Sequence, residues 1–401
     1  MKAIRVLVLS LVLAGLGISP LLAAPASDAV DKSGNLKHIK NFKYDGGSEL
    51  SASGRYLYSG EANAKGGQNR GSAPDDGGLH IYDVKKMKEV AFLHCPGTDN
   101  DVEVVKPGLV AMAFSGNQCA PSAGAGIMLI DVKNPKKPRI LSALNTNASH
   151  TMKPFPGGKY IYMAAGNLTG SATRGTVIVD VRNPLKPKIA TEAMDVMDCH
   201  DVSFSITEED RQLAFCAGAV GTGEVQIWDV SDPLAPTIIS RIVNPAIQYS
   251  HYAVANHDGT LLAIDDEAFA AHDCNTGHSP TGRLWIYDIT SPSIPIPQGS
   301  FAPPGGRGGN PMYANIGNFP GWVASWCMSH GLDWHPKKNM VAVTWFTAGV
   351  SVIDATDPLQ PSEYAYFDSD DSAAYSTLWH GGYMWTNDHM RGVDAFKIKG
   401  L

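Results

Sequence analysis

Beyond residue 22 the sequence has no apolar run of the roughly 18 residues that a membrane-spanning helix needs. It also lacks a basic excess: 32 Lys and Arg face 39 Asp and Glu, and a formal charge of −7 excludes the electrostatic footprint of a nucleic-acid-binding protein. No G-x-S-x-G nucleophile elbow, no H-E-x-x-H pair and no phosphate-binding P-loop occurs, which sets aside serine-hydrolase and nucleotide-dependent chemistry. Cysteine is sparse, six in 401 residues, but the number is even.

What is present begins with a leader. Lys2 and Arg5 precede an apolar stretch from Val6 to Leu22, and Ala24-Pro25-Ala26 follows. This charged, apolar, small-residue order is that of a secretory signal peptide over residues 1–26. The mature protein is expected in the periplasm or outside the cell, and loss of Lys2 and Arg5 would move the formal charge from −7 to −9. Residues 27–35 read as a flexible N-terminus, and residues 36–401 as one domain.

Self-similarity explains how so long a chain makes a single domain. One phrase recurs: GLHIYDV at Gly78, GIMLIDVKNPKKP at Gly126, GTVIVDVRNPLKP at Gly175, GEVQIWDVSDPLAP at Gly223, GRLWIYDITSPSIP at Gly282 and GVSVIDATDPLQP at Gly349, with a degenerate GVDAFKIKG at Gly392. Each is a Gly-led strand rich in β-branched and aromatic residues, and most run into an Asp and Pro turn. A hairpin precedes each, as in HTMKPFPGGKYIYMA from His150, so every unit reads as four antiparallel strands, A to D. The expected fold is all-β, a seven-bladed β-propeller. Its last unit stops after strand C, and the N-terminal segment LKHIKNFKY from Leu36 has the character of the missing strand D. The last blade is therefore expected to be closed by an N-terminal strand, leaving no open edge.

By these phrases, VIVDV at Val177 above all, the mature chain resembles the LVIVD-repeat family of β-propellers along its whole length. That resemblance implies the fold and no particular reaction. In architecture and channel-mouth histidines the chain is more distantly similar to the selenium-binding protein and methanethiol oxidase propellers. Their copper-dependent thiol oxidation goes with cysteine-rich motifs that this sequence does not carry.

Loop length distinguishes the two ends of the ring. The A-to-B and C-to-D turns are tight, whereas the segments 61–77, 115–125, 267–281 and 303–329 all connect B to C or D to A. Loops beyond about 12 to 15 residues in a compact domain are usually functional or disordered. The innermost strand, A, begins on that same face, and aligning the units puts Asp101, His150, His200, His251, His330 and Tyr375 in its first slot, with Asp45 or Gly46 in blade one. Four imidazoles converging on one axis can supply a transition metal, whether copper, zinc, iron or manganese, with nitrogen ligands. His150, His200, His251 and His330 are the expected metal ligands. Glu267, Asp101 and Tyr375 are the expected catalytic groups, with Glu103 as a supporting carboxylate. A competing reading makes each histidine a structural residue bonded within its own blade and copied by repetition.

Asp265, Asp266 and Glu267 end strand B of blade five, where metal binding and turn capping are both open; Asp388 and His389 hold the equivalent place in blade seven. Tyr313, Trp322, Trp326, Trp345, Phe346 and Tyr375 could wall a substrate pocket or fill the space between blades. The repeat aspartates, Asp131, Asp180, Asp229, Asp288 and Asp354, are assigned to turns. Cys95 with Cys119, Cys199 with Cys216 and Cys274 with Cys327 form the preferred disulfide set, with a thiolate ligand at Cys199 as the rival. The leading functional reading is a metal-dependent oxidoreductase, hydrolase or lyase of the cell envelope acting on a small organic or sugar-like molecule on the long-loop face. The alternatives are a non-catalytic scaffold for an envelope protein or ligand, and a propeller-type polysaccharide lyase.

Overall fold

The computed structural model describes residues 30–401 except 45, 62–76, 97–100, 116–118, 121–123, 147–149, 165–174, 194–195, 197–198, 207–211, 219–222, 268–281, 305–306 and 308–326. The leader, Asp45, His272, His278, Cys274, Tyr313, Trp322, Trp326 and most of the long connections lie outside the described residues.

The described residues form twenty-nine strands and no helix. The strands make seven antiparallel sheets, six of four strands and one of five. Within a sheet the strands follow chain order, except where two N-terminal strands join late blades; Leu36–Phe42 pairs with Gly392–Ile398 as the outer strand of blade seven. Ring closure by an N-terminal strand is thus observed, with Leu36 opposite Ile398 and Phe42 opposite Val393. An unanticipated strand also appears: Val30–Lys32 pairs with Ser362–Ser369 and gives blade six a fifth strand.

The repeated phrase has a packing cause. Strand C is buried along nearly its whole length, as in Thr176–Asp180 and Gly78–Asp83. A blade packs on both faces, so its middle strands are continuously apolar and do not alternate with polar residues. Seven buried clusters fill the seven gaps between neighbouring blades; Leu57, Tyr82, Trp385 and Val393 belong to the one joining blade one to blade seven. The leading glycine lets strand D approach. A Cβ on Gly126 would stand 2.0 Å from the Leu144 carbonyl oxygen, and one on Gly349, where φ is +71°, would stand 2.1 Å from that of Phe367.

The turn aspartates behave as read. Asp131, Asp180, Asp229, Asp288 and Asp354 each accept a hydrogen bond at 2.8 to 3.0 Å from the backbone N–H two residues on. The prolines beyond them have a further use: the carbonyls of Pro184, Pro233, Pro292 and Pro358 accept bonds of 2.6 to 2.7 Å from Ser142, Tyr162, Ser240 and the Gly299 N–H of the preceding blade. The short-turn corners of blades three to six are thereby latched to the blades before them.

Closure makes a stability prediction. Deleting residues 30–42 leaves Gly392–Ile398 as an open edge and uncovers Phe396, which is fully buried. Calorimetry of the deletion variant is expected to show loss of the single cooperative transition, with aggregation. Phe396→Ala alone is expected to cost about 3–5 kcal/mol in urea unfolding.

Candidate metal centre

Strand A begins irregularly in three blades, and the irregularity aims side chains at the axis. Pairing with strand B skips between Ser250 and Ala253 in blade five, between Ala374 and Ser376 in blade seven and between Gly47 and Leu50 in blade one. These β-bulges leave His251 with Tyr252, Tyr375, and Ser48 with Glu49 outside the regular ladder. In blades four and six the backbone N–H groups of His200 and His330 bond to Ala217 and Thr344 at the ends of strand B. The disulfide between Cys199 and Cys216 ties those same two strands beside His200. A second disulfide joins Cys95 to Cys119. Cys199 is therefore not a thiolate ligand, and Cys327 is disulfide-bonded as well, with its partner outside the described residues.

The four histidines do come together. Ring centroids run in an unbroken arc: His150 to His200 at 4.9 Å, His200 to His251 at 4.1 Å, His251 to His330 at 3.9 Å, His330 to Tyr375 at 3.9 Å and Tyr375 to His389 at 4.3 Å. Two overlapping groups could hold an ion, each with its ligand atoms within 4.8 Å of one another: His150, His200 and His251, and His251, Glu267 and His330. Glu267 reaches both imidazoles of the second group, with Oε2 3.6 Å from His251 Nε2 and Oε1 3.7 Å from His330 Nε2. His330 Nδ1 donates to the Tyr375 carbonyl at 2.8 Å, which leaves its Nε2 with a lone pair directed at this group.

Strand alternation sorts the three acids of blade five. Asp266 is a cap, accepting bonds from the N–H groups of Gln248, Tyr249 and Gly282 at 2.7 to 3.0 Å. Asp388 plays the same part in blade seven, holding Ala373 and Ser372. Asp265 and Glu267 lie on the other side, towards His251.

Asp101 does not join the histidines. Its Oδ2 accepts the Met152 N–H at 2.8 Å, which ties blade two to blade three. It belongs instead to a second polar layer with Glu49, Glu103, Lys153 and Asp201. Of the rest of this layer, only Glu103 stands out in the sequence. Burial, opposed by the Tyr252 hydrogen bond, pushes Glu49 up to about 7, and burial opposed by Lys153 pushes Asp201 up to about 8. Burial alone would lower Lys153, but the charges of Glu103 and Asp201 outweigh it and hold the ammonium above its ordinary range.

Electrostatics in the histidine layer point the same way throughout. Burial pulls His200 and His251 well below the usual imidazole range, reinforced by neighbouring histidines, and pulls His330 down to about 3. Burial, with Asp266, pushes Glu267 well above the usual carboxylate range. Burial thus favours neutral imidazoles, whose lone pairs a metal can take, and opposes the Glu267 charge, which a cation would restore.

Of the aromatic candidates, Phe346 and Tyr375 flank His330, with ring centroids at 4.8 and 3.9 Å. Trp345 is instead fully buried in the core between blades five and six. Phe346 has φ of 46°, a left-handed conformation rare for a bulky residue, and is held by a bridge to Ala374.

A structural histidine in the same protein gives the contrast. His80 in blade one bonds Glu61 at 3.2 Å and Glu89 at 2.8 Å, one per ring nitrogen, and stacks on Tyr44 at 4.2 Å. Both of its nitrogens are satisfied. In the central layer, the Nδ1 atoms of His200 and His251 are buried with no hydrogen-bond partner.

No protein-family model matches the chain, and no curated protein matches it. Among solved structures, the β-propeller domain of Cps50 (Swd1) from Myceliophteria thermophila aligns over 90% of this chain and 98% of that one, with a TM-score of 0.55 at 11% identity. At that identity the likeness is one of fold. No helix of the described residues is long and apolar enough to cross a membrane. The disulfides are consistent with an extracellular or periplasmic protein.

His80 yields a pH prediction. Burial lowers its affinity for a proton, but the bonds to Glu61 and Glu89 outweigh burial and raise it above the ordinary value. The stability this supplies is fully present below the unfolded value of about 6.5 and is lost as pH rises through the raised folded value. Urea titrations from pH 6 to 9 are expected to show that decline in the wild type and a flatter profile in His80→Gln.

Proposed function

We propose that this chain is an exported, metal-dependent enzyme of the cell envelope that acts on a small organic or sugar-like molecule. A divalent transition metal sits between His251, Glu267 and His330, with His200 and His150 at its flank. The Gly-led phrases support a kinship with the LVIVD-repeat propellers, which would carry fold and no reaction.

One observation carries the reading. The contacts from Glu267 to His251 and His330, at 3.6 and 3.7 Å, are too long for hydrogen bonds. They are close to the spacing of about 3.4 Å between two ligands of a tetrahedral ion with bonds of about 2.1 Å. Two imidazoles and a carboxylate suit zinc, iron, manganese or copper, and three protein ligands leave a position open for water or substrate. Tyr375, half-buried beside His330, is placed to exchange a proton with a bound molecule.

Elemental analysis of untagged protein is expected to find stoichiometric zinc, iron, manganese or copper, absent from His251→Ala and Glu267→Gln. Metal at a hundred times its Kd is expected to raise the unfolding free energy by about 2.7 kcal/mol. Wild-type protein that carries none of these metals and takes none up would return the chain to a non-catalytic envelope scaffold.

A further inference from the structure

Among the groups that the proposed centre leaves unused, one pair is chemically incomplete. Neither His251 Nδ1 nor Asp265 Oδ2, both buried, makes a hydrogen bond of good geometry, and they face each other at 4.0 Å, with the His330 backbone also near the ring. The other oxygen of Asp265 is engaged: Oδ1 accepts the N–H of Tyr252. That N–H lies in the bulge between Ser250 and Ala253, so Asp265 braces the backbone distortion that carries His251 inward.

We infer that Asp265 is the positioning residue of the metal centre, taking the Nδ1–H of His251 so that Nε2 is free to bind the ion. The inference rests on the reading of His251 as a ligand. A neutral imidazole has one proton; if Nε2 gives its lone pair to a metal, Nδ1 must carry that proton and needs an acceptor. Asp265 Oδ2 is the orphaned acceptor facing that atom, and closing the gap by about 1 Å would bring the pair within hydrogen-bond range. His330 has the same arrangement already complete, with the Tyr375 carbonyl as acceptor. The sequence placed Asp265 at the end of strand B but left open whether it was a cap, a ligand or a base; the division between Oδ1 and Oδ2 gives it a separate task.

Asp265→Asn tests this with little change of shape. Its remaining carbonyl oxygen can still accept the Tyr252 N–H, but an NH2 group then faces His251 Nδ1. Two donors cannot pair, so the imidazole turns to the tautomer protonated at Nε2 and loses its lone pair for the metal. Zinc titrations of untagged, metal-stripped wild type and Asp265→Asn are expected to differ by 10- to 100-fold in affinity, with unchanged melting temperature of the stripped proteins. In zinc-loaded, histidine-labelled protein, a slowly exchanging Nδ1–H signal from His251 is expected in the wild type and is weakened or absent in the variant. A merely structural role would lower the melting temperature and leave that signal in place. Equal zinc affinity in the two proteins overturns the role of Asp265 while leaving the centre standing. A wild type that binds no zinc, iron, manganese or copper overturns the centre itself, and this inference with it.

Discussion

Each sheet of this protein is apolar on both faces, and that constraint decides the rest. A lone four-stranded blade would expose Val177, Ile178 and Val179 or their counterparts on both sides, whereas the buried clusters cover every gap between neighbours. The requirement has no end until the chain returns on itself, which is why strand Leu36–Phe42 travels to the far end of the sequence to pair with Gly392–Ile398. Closure then fixes the inner strands around one axis. The histidines meet because seven apolar interfaces leave their strands no other place.

Meeting carries a cost that a structural role does not recover. A buried polar atom without a hydrogen bond is worth about 1–3 kcal/mol of lost stability, and the central layer holds several: Nδ1 of His200, Nδ1 of His251 and Oδ2 of Asp265. His80, between Glu61 and Glu89, shows the contrast, with both nitrogens satisfied. A cation bound there would reverse the balance: it would take lone pairs from neutral imidazoles, favour ionised Glu267 and leave the remaining ring protons to be accepted by groups such as Asp265 and the Tyr375 carbonyl.

The repeat made the blades legible, because Gly, Asp and Pro in the phrase answer local demands: close approach of strand D, an N–H to be capped, and a corner to be turned. It also located the histidines, since the first residue of strand A is a position that a hairpin alignment finds. What the alignment could not resolve is direction. His251 and Tyr375 are turned inward by bulges, and a bulge of one residue leaves no mark in the pattern of apolar residues. For the same reason Asp101 looked equivalent to the histidines in sequence yet bonds the Met152 N–H. Glu49, Lys153 and Asp201 were passed over because none occupies the aligned slot itself. Val30–Lys32 carried no repeat signal at all, and its pairing with Ser362–Ser369 follows from an edge that only the folded blade six presents.

The two ends of the ring are built differently. At the short-turn end, proline carbonyls latch blade to blade through Ser142, Tyr162, Ser240 and the Gly299 N–H. At the other end the strands start with bulges, a left-handed Phe346 and orphaned ring nitrogens, features that each destabilise the fold. A closed ring tolerates this because strain at one mouth cannot relax without breaking interfaces that run the full length of every blade. The same rigidity is what a metal centre needs: Glu267 stays at ligand spacing from His251 and His330 because strand B of blade five is held between buried neighbours on both sides.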